Sequence, residues 1–426
     1  MSDEHTVVID NGTGYTKIGF AGEEAPRQIY RTVVESDVEG TAPVYPMQYG
    51  IINDWEAMEK VWNFGFKKYL GSSFNPSDHP VLIAETPLAP KLHREKITQA
   101  MFEGFETPGL FVANSCILSL YAAGRITGVV LDVGHATSKF VPIQEGFCLT
   151  HAVEKSNWGG QNVTLFLRKL LEQAQTQPIN LDFEVINKIK EDLSFVDANY
   201  ARTIETLRKQ KTAAVGQQQQ QQQQANGTNG TESSEQPEQQ ATPTSKKKST
   251  ASQSNAVEYF KNYTLPDGNI IQIGQVERLQ CNEILFQPQL LHTSFKEIMP
   301  KELRPSYHTG GYQDELDELG IQQMAFDSIM KCELDIKKEL TANIILSGGA
   351  ATPTGFQKRV QLELENLSPS GFSVNIAPVG SAPNSKQVAT WAGGAILGQL
   401  SSFNTMWIKK SEYNEFGPQI VNRRTY

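Results

Sequence analysis

Hydrophobic and polar positions along the chain predict a series of strands and helices, and one pattern occurs twice. Within residues 7–20 an apolar run ends in Asp10, a glycine-rich turn follows, and a second apolar run returns. Glycine-rich turns between β-prone segments favour a strand–turn–strand unit. Residues 128–142 repeat this order, with Asp132 at the end of the first run. One such unit is as readily an ordinary hairpin as a ligand site, and the second copy favours the ligand site.

The remaining periodicity predicts a buried strand, a third glycine site and several helices. The strand covers 79–85, and the apolar run 344–347 leads into the glycine pair 348–349. Tryptophan, methionine and phenylalanine recur at helical spacing along 54–70, which indicates core packing more than a ligand site. Helices are predicted at 54–70, 91–105, 113–122, 162–172 and 185–196, with a loop over 154–160 and an irregular segment over 23–46.

Two segments interrupt this pattern. Residues 210–256 include eight consecutive glutamines and few apolar side chains, so the composition predicts a disordered surface excursion. The three lysines at 246–248 allow a nuclear-import or anionic-partner interpretation, for which three lysines are weak support. About a third of the residues in the segment 293–319 are charged, and we expect it to form a local cap on the core, with a partner contact as the alternative.

Composition narrows the class of protein. The chain has 426 residues, 39% hydrophobic and 20% charged, which is typical of a globular protein with a large core and a polar insert. A net charge of −9 argues against a nucleic-acid-binding surface over the whole molecule. The four cysteines are widely spaced, which argues against a zinc site or a disulfide framework. No signal peptide and no apolar run of membrane-spanning length is present, so we expect a protein of the cytoplasm or nucleus, not secreted and not in a membrane.

The two hairpins carry residue types suited to a polyphosphate. Glycines let backbone N–H groups approach a phosphate closely, Thr13 offers a hydroxyl, and Lys17 offers a charge. Asp10, at the end of its strand, is placed to face a metal ion through water. Two such units indicate two related half-domains that hold a nucleotide polyphosphate between their turns, with the third glycine site near the adenine or ribose.

Ordered matches along nearly the whole chain resemble actin and the actin-related proteins. They are GIINDWEAMEKVW (50–62), REKITQAMFE (94–103), SLYAAGR (119–125), LPDG (265–268), SIMKC (328–332), WAGGAIL (391–397) and GPQIV (417–421). The resemblance implies a divergent actin-related protein with an α/β, two-lobed, actin-like ATPase fold, in which duplicated RNase H-like domains surround a nucleotide cleft. It implies one lobe of subdomains 1 and 2 (1–122 plus 389–426) and another of subdomains 3 and 4 (123–388). Subdomain 2, at about 32–45, is strongly shortened, and its missing loop is a filament contact in actins.

The same resemblance implies the site residues and the cofactor, ATP or ADP with Mg²⁺. Asp10 and Asp132 would face the Mg²⁺ through water. The nucleotide site would comprise Asp10, Asn11, Gly12, Thr13, Gly14, Tyr15, Lys17, Asp132, Gly134, His135, Gly160, Lys190, Glu191, Gly348, Gly349 and Ala350. Taken alone, Lys190 and Glu191 are equally well explained as an exposed charged pair.

Two departures from the family pattern bear on hydrolysis. Ser115 stands where the family has the glutamine that orients the attacking water, and Lys139 stands where it has a histidine. A serine is too short to reach a γ-phosphate through that water, and a charged lysine cannot accept a proton. His135 and Ala136 replace an Asp-Gly pair, and Pro353 stands near an aromatic adenine contact. We therefore predict no catalytic residue and little or no ATPase activity. The nucleotide would be held structurally, with weak or absent binding as the alternative.

Three functions compete at this point. The departures favour a non-polymerising scaffold subunit of a multiprotein complex, held with another actin-fold subunit or by a long partner helix. A chromatin-remodelling complex in the nucleus is favoured within that interpretation. The alternative is a cytoskeletal or motor-associated protein that binds ATP and polymerises. An ATP-dependent sugar kinase or chaperone shares the two-lobed fold and is remote. No membrane and no sequence-specific nucleic acid is expected as a partner.

Overall fold

The computed structural model describes residues 5–35, 42–174, 181–212, 259–291 and 319–424. Most of the two predicted inserts, and the predictions of disorder and of a local cap that concern them, lie outside these residues.

The strands of the described residues, in chain order, are β1 (Val7–Asn11), β2 (Tyr15–Phe20), β3 (Gln28–Arg31), β4 (Met47–Gln48), β5 (Ile51–Ile52), β6 (Val81–Glu85), β7 (Gly109–Asn114), β8 (Gly128–Val133), β9 (Ser138–Gln144), β10 (Phe147–Cys148), β11 (Glu154–Ser156), β12 (Phe260–Thr264), β13 (Ile270–Gly274), β14 (Ile344–Ser347), β15 (Ile376–Ala377) and β16 (Ile408–Lys409). The helices are α1 (Trp55–Gly65), α2 (Lys91–Gln99), α3 (Ser115–Ala122), α4 (Gly160–Ala174), α5 (Phe183–Leu193), α6 (200–212), α7 (Gln275–Glu283), α8 (Ile321–Met330), α9 (Leu334–Ala342), α10 (Phe356–Leu367), α11 (Ser385–Gln399), α12 (Lys410–Phe416) and α13 (Val421–Arg424).

Two mixed sheets with the same central topology organise the chain. The first has the order β16-β7-β6-β1-β2-β3, and the second has the order β10-β9-β8-β14-β15, with β11 also paired to β9. In each sheet an antiparallel hairpin, β1–β2 or β8–β9, lies beside a parallel strand, β6 or β14. The repeated arrangement confirms the predicted two-lobed α/β fold. The first sheet with its helices is called the first lobe below, and the second sheet with its helices the second lobe.

Each lobe has its own apolar core. Apolar side chains of β1, β6 and α1 pack together in the first lobe, with Trp62 and Phe66 almost fully buried. In the second lobe β8, α4 and α10 enclose Phe166 and Phe356. Met58, Trp62 and Phe66 therefore belong to the core, as their spacing predicts, and Trp55 packs against it partly buried.

Helices α3 and α11 join the lobes. They lie so close that a Cβ on Gly393 would overlap the carbonyl oxygen of Leu118. A hydroxyl cluster lies at this crossing, where Ser119 Oγ is 2.9 Å from Thr390 Oγ1 and 3.1 Å from Ser347 Oγ. The carbonyl of Ser115 accepts from both Ser119 Oγ and Thr390 Oγ1. We define these four residues as the hydroxyl cluster.

Several predicted boundaries were wrong. Residues 113 and 114 end strand β7, and the helix begins at Ser115 because Asn114 caps it by accepting from the backbone N–H of Cys116. A short apolar run such as 109–113 does not distinguish a buried strand from a helix by periodicity.

The remaining boundary errors concern irregular segments. The segment 23–46 contains strand β3, and the predicted loop 154–160 begins with strand β11, because β2 and β9 each offer a free edge for pairing. Helix α5 covers Phe183–Leu193 and ends before the predicted residue 196, and α4 starts at Gly160. The last turns of the helices predicted at 54–70 and 91–105 are π-helical.

Candidate functional site

A cavity of about 450 Å³ lies between the two lobes, where the hairpin turns and the end of β14 meet. It is lined by every residue that the sequence predicts for the nucleotide site: Asp10, Asn11, Gly12, Thr13, Gly14, Tyr15, Lys17, Asp132, Gly134, His135, Gly160, Lys190, Glu191, Gly348, Gly349 and Ala350. Ser115, Ala136, Lys139 and Pro353 also line it. The structure thus brings together residues that are more than 300 positions apart in the chain.

The two hairpins place an aspartate and a lysine in the same relation in each lobe. Asp10 is the cross-strand partner of Lys17, and Asp132 is the cross-strand partner of Lys139. The lysine Nζ is 2.9 Å from the aspartate Oδ2 in both pairs. Burial alone would lower the pKa of Lys139, but the neighbouring carboxylates of Asp132 and Asp10 hold that pKa above its ordinary value. Lys139 is therefore an ammonium at neutral pH and cannot serve as a base.

Glycines keep the floor of the cleft open. Gly348 has φ +91°, and a Cβ at this position would overlap the carbonyl oxygen of Val133. A Cβ on Gly14 would lie 2.8 Å from Cγ of His135, which reaches across from the second lobe. Burial, together with the charges of Lys190 and Arg31, lowers the pKa of His135 to about 4, so its ring is neutral at pH 7.

Three hydroxyl groups on the cleft wall indicate which kind of ligand the cavity fits. Thr86 Oγ1, Ser115 Oγ and Ser194 Oγ are buried and have no hydrogen-bond partner within the described part of the chain. Buried polar atoms are normally satisfied by protein, water or ligand. Together with the glycine-lined floor, these atoms fit a ligand rich in hydrogen-bonding oxygens, as a nucleotide polyphosphate is.

Lys190 is engaged with the protein. Its Nζ donates to the carbonyl of Gly160 at 3.0 Å, to Thr164 Oγ1 at 2.9 Å and to Asn187 Oδ1 at 2.7 Å. Burial lowers the pKa of Lys190 to about 8. Only Glu191 of the predicted charged pair is exposed, and it accepts from Asn187 Nδ2. Lys190 thus fixes α5 against α4 at the edge of the cleft.

Contacts across the mouth of the cleft were not predicted. Arg31 of the first lobe pairs with Glu184 of the second at 2.6 Å. Lys155 Nζ donates to the carbonyl of Tyr49 at 3.3 Å. A second cavity of about 340 Å³ lies beside this mouth and shares His135 with the first. No local sequence signal predicts these contacts, because each joins residues from different lobes.

Glu85, at the end of β6, is a second site feature that sequence reasoning missed. Its carboxylate accepts from Arg94 at 2.6 Å and from His93 Nδ1 at 3.1 Å. His93 Nε2 accepts from the backbone N–H of Ile52, so the proton of this ring is on Nδ1. A glutamate closing a fully apolar strand is the signal that points to such a cluster. The cluster fixes the wall that carries Thr86.

The donor set is poor for a directly held metal. Across the described residues, no group of three or more histidine, cysteine, aspartate or glutamate side chains is placed to hold a metal ion. Asp10 and Asp132 are each neutralised by a lysine. That these two carboxylates face a Mg²⁺ through water stays a prediction. As for membranes, none of the helices described here combines the length and apolar character needed to span one.

Two half-domains of the same topology enclose a glycine-lined cleft that carries a lysine from each hairpin. This arrangement defines a class of two-lobed α/β proteins with a central cleft. The family model described as Actin matches residues 1–426, the whole chain. The chain therefore belongs to the actin family. Proteins of this family generally bind ATP or ADP with Mg²⁺, commonly work in complexes, and are cytoplasmic or nuclear.

Proposed function

We propose that the chain binds ATP or ADP in the cleft between its lobes. The support is the cavity of about 450 Å³ with its open glycine floor, the ammonium groups of Lys17 and Lys139, and three unpartnered hydroxyls. Backbone N–H groups of both hairpin turns would contact the phosphates, and the lysines would balance their charge. Gly348, Gly349 and Ala350, at the end of β14, would lie near the purine or ribose.

Hydrolysis is impaired in this proposal, and the observation that carries it is the ion pair of Lys139 with Asp132. The lysine stands where the family has a histidine, and its charge is fixed by a carboxylate 2.9 Å away. Ser115 stands where the family has the water-orienting glutamine, and its short side chain is buried in the wall. Neither group can take a proton from an attacking water or orient it at a distance.

A protein that holds nucleotide without turning it over is suited to a scaffold. We infer that the chain is a non-polymerising, actin-related subunit of a multiprotein complex, and we favour a chromatin-remodelling complex in the nucleus. The short segment between the paired residues Val34 and Val44, where actins carry a filament contact, supports this. Apolar side chains exposed on the C-terminal helices, among them Ile396 and Phe416, are available to a long partner helix or another actin-fold subunit.

A polymerising cytoskeletal or motor-associated protein is the second candidate. It is favoured by the close match to conventional actin in 320–347 and 389–420. Affinity purification from cells, followed by mass spectrometry, separates the two. Remodelling ATPases with a long helical segment would support the nuclear scaffold, and motor or cytoskeletal partners would support the alternative. Pelleting of the purified chain as filaments with ATP would refute the non-polymerising assignment.

Enzymatic turnover is tested separately. We expect the purified chain to retain ATP over many hours with no phosphate release above background. The double variant Ser115→Gln/Lys139→His, which places the family's residue types at both positions, is the matched comparison. Phosphate release by the unaltered chain at the rate of a conventional actin would refute the impaired-hydrolysis proposal.

A further inference from the structure

The second lysine–aspartate pair changes the charge of the site where a metal is expected. The two hairpins are equivalent in topology and register, and each lysine is seven residues after its aspartate. Each Nζ–Oδ2 distance is 2.9 Å. The second lobe therefore carries a fixed cation at the position equivalent to Lys17 of the first lobe.

This cation leaves the two carboxylates without net negative charge. Asp10 and Asp132 carry two negative charges, and Lys17 and Lys139 carry two positive ones. The other acidic groups of the cleft do not restore the balance at this point. Glu85 is paired with Arg94, Asp192 pairs with Lys188, and the exposed Glu191 accepts from Asn187.

A divalent cation held through water needs carboxylate oxygens that can accept from its water shell and a field that attracts it. Here one oxygen of each aspartate accepts from an ammonium, and Lys139 also lies within electrostatic range of Asp10. A Mg²⁺ between these aspartates would be repelled by two ammonium groups at short range. The same ammonium groups attract the phosphates that a metal would otherwise neutralise.

We propose that Lys139 takes the place of the divalent cation, so that the chain binds ATP or ADP without requiring Mg²⁺. The inference rests on the proposed nucleotide binding and departs from the sequence-based expectation of a Mg²⁺ between Asp10 and Asp132. Lys17 and Lys139 approach the phosphates from opposite lobes, and their charge is part of the chain. Chelation of metal therefore leaves nucleotide affinity nearly unchanged.

The test measures affinity for a fluorescent ADP, in excess Mg²⁺ and in EDTA, by titration of the full chain. We expect the dissociation constant of the unaltered chain to differ by less than about threefold between the two conditions. Lys139→Met removes the charge at similar length, and binding in EDTA should weaken by about tenfold or more and recover with Mg²⁺. Lys139→Arg keeps the charge with a different shape, so its absolute affinity is free to change. Its metal response is the control: the ratio of its dissociation constants in EDTA and in Mg²⁺ should stay below about three.

A metal readout makes the test independent of the variants' stability. Electron paramagnetic resonance of Mn²⁺ should show the free aquo ion beside the ADP complex of the unaltered chain, and bound Mn²⁺ beside that of Lys139→Met. Binding by the unaltered chain that disappears in EDTA overturns this inference and leaves the proposed function intact. Binding in neither condition overturns both. An unchanged metal response in folded Lys139→Met overturns the assignment to Lys139.

Discussion

His135 of the second hairpin turn lies beside Gly14 of the first. Replacing Gly14 by alanine is expected to hold the lobes apart. A Cβ on Gly14 lies 2.8 Å from Cγ, 3.0 Å from Nδ1 and 3.1 Å from Cβ of His135. The backbone of Gly14 is outside the left-handed region, so alanine adds a contact there without adding backbone strain. Its effect therefore reports the distance between the lobes.

The size of the effect follows from these distances. Ordinary van der Waals contact begins at 3.4 Å, so the nearest pair of atoms must separate by about 0.6 Å. Overpacking of this kind destabilises an arrangement by about 1–3 kcal/mol. The imidazole of His135 can rotate away from the added methyl group, but its Cβ is fixed to the turn. We therefore expect Gly14→Ala to destabilise the closed arrangement of the lobes by about 1.4 kcal/mol. This corresponds to about tenfold faster release of a bound nucleotide.

The assay is stopped-flow release of fluorescent ADP from four chains: the unaltered chain, Gly14→Ala, His135→Ala and the double variant. The double variant should recover most of the loss, because the two nearest ring atoms are gone, and the cycle should give a coupling of about 1 kcal/mol. Gly104→Ala is the control, since its added Cβ has nothing within 4 Å. Equal acceleration in the single and double variants, or none in Gly14→Ala, would refute a contact between the lobes here.

Three further predictions concern stability, each measured by urea unfolding. Gly393→Ala should destabilise the chain by about 3 kcal/mol, because the added Cβ meets a backbone oxygen of α3 that moves only with its helix; an effect below about 1 kcal/mol would contradict this. Arg359→Met should destabilise the chain by about 3–5 kcal/mol, because it leaves the buried carboxylate of Glu283 without its ion-pair partner, and adding Glu283→Gln should recover much of that loss. The pKa of His135 is about 4 in the folded chain and near 6.5 unfolded, so the unfolded chain takes up the proton first and stability falls between pH 6.5 and pH 4. Between pH 6.5 and pH 5, the pKa shift of His135 corresponds to a loss of about 2 kcal/mol in the free energy of unfolding. Because the ring is partly exposed to water in the cleft, we expect a loss of about 1 kcal/mol. His135→Asn should lack this loss, and the exposed His151→Asn should keep it.

The sequence predicts the fold best where local chemistry and tertiary structure agree. Both hairpins follow from glycine turns between apolar runs, and α1 follows from its apolar spacing and its capping residue Asp54. Strands β3 and β11 were missed because they are only four and three residues long, too short to show a clear apolar alternation, and it is pairing with β2 and β9 that defines them. The last two residues of β7 were assigned to α3, because both elements are apolar and follow each other directly at Asn114 and Ser115.

The features of the site fall into the same two groups: those that local sequence defines and those that depend on tertiary packing. The residues of the hairpin turns could be named from the sequence, since a strand end and a glycine turn define their position locally. The lysine–aspartate pairs were also within reach, because the seven-residue spacing from Asp10 to Lys17 recurs from Asp132 to Lys139. The contact of Gly14 with His135 and the three acceptors of Lys190 were not, because they depend on how the lobes and helices pack.

The hydroxyl cluster between α3, α11 and β14 has a mechanical consequence. Aliphatic side chains that interdigitate resist sliding, because any displacement opens a void. Hydroxyl groups rotate and are both donors and acceptors, so Ser119, Ser347 and Thr390 can exchange partners at constant volume. The carbonyl of Ser115 already accepts from two of them. Small rotations of one lobe relative to the other are therefore possible at this joint while its hydroxyl groups stay hydrogen-bonded.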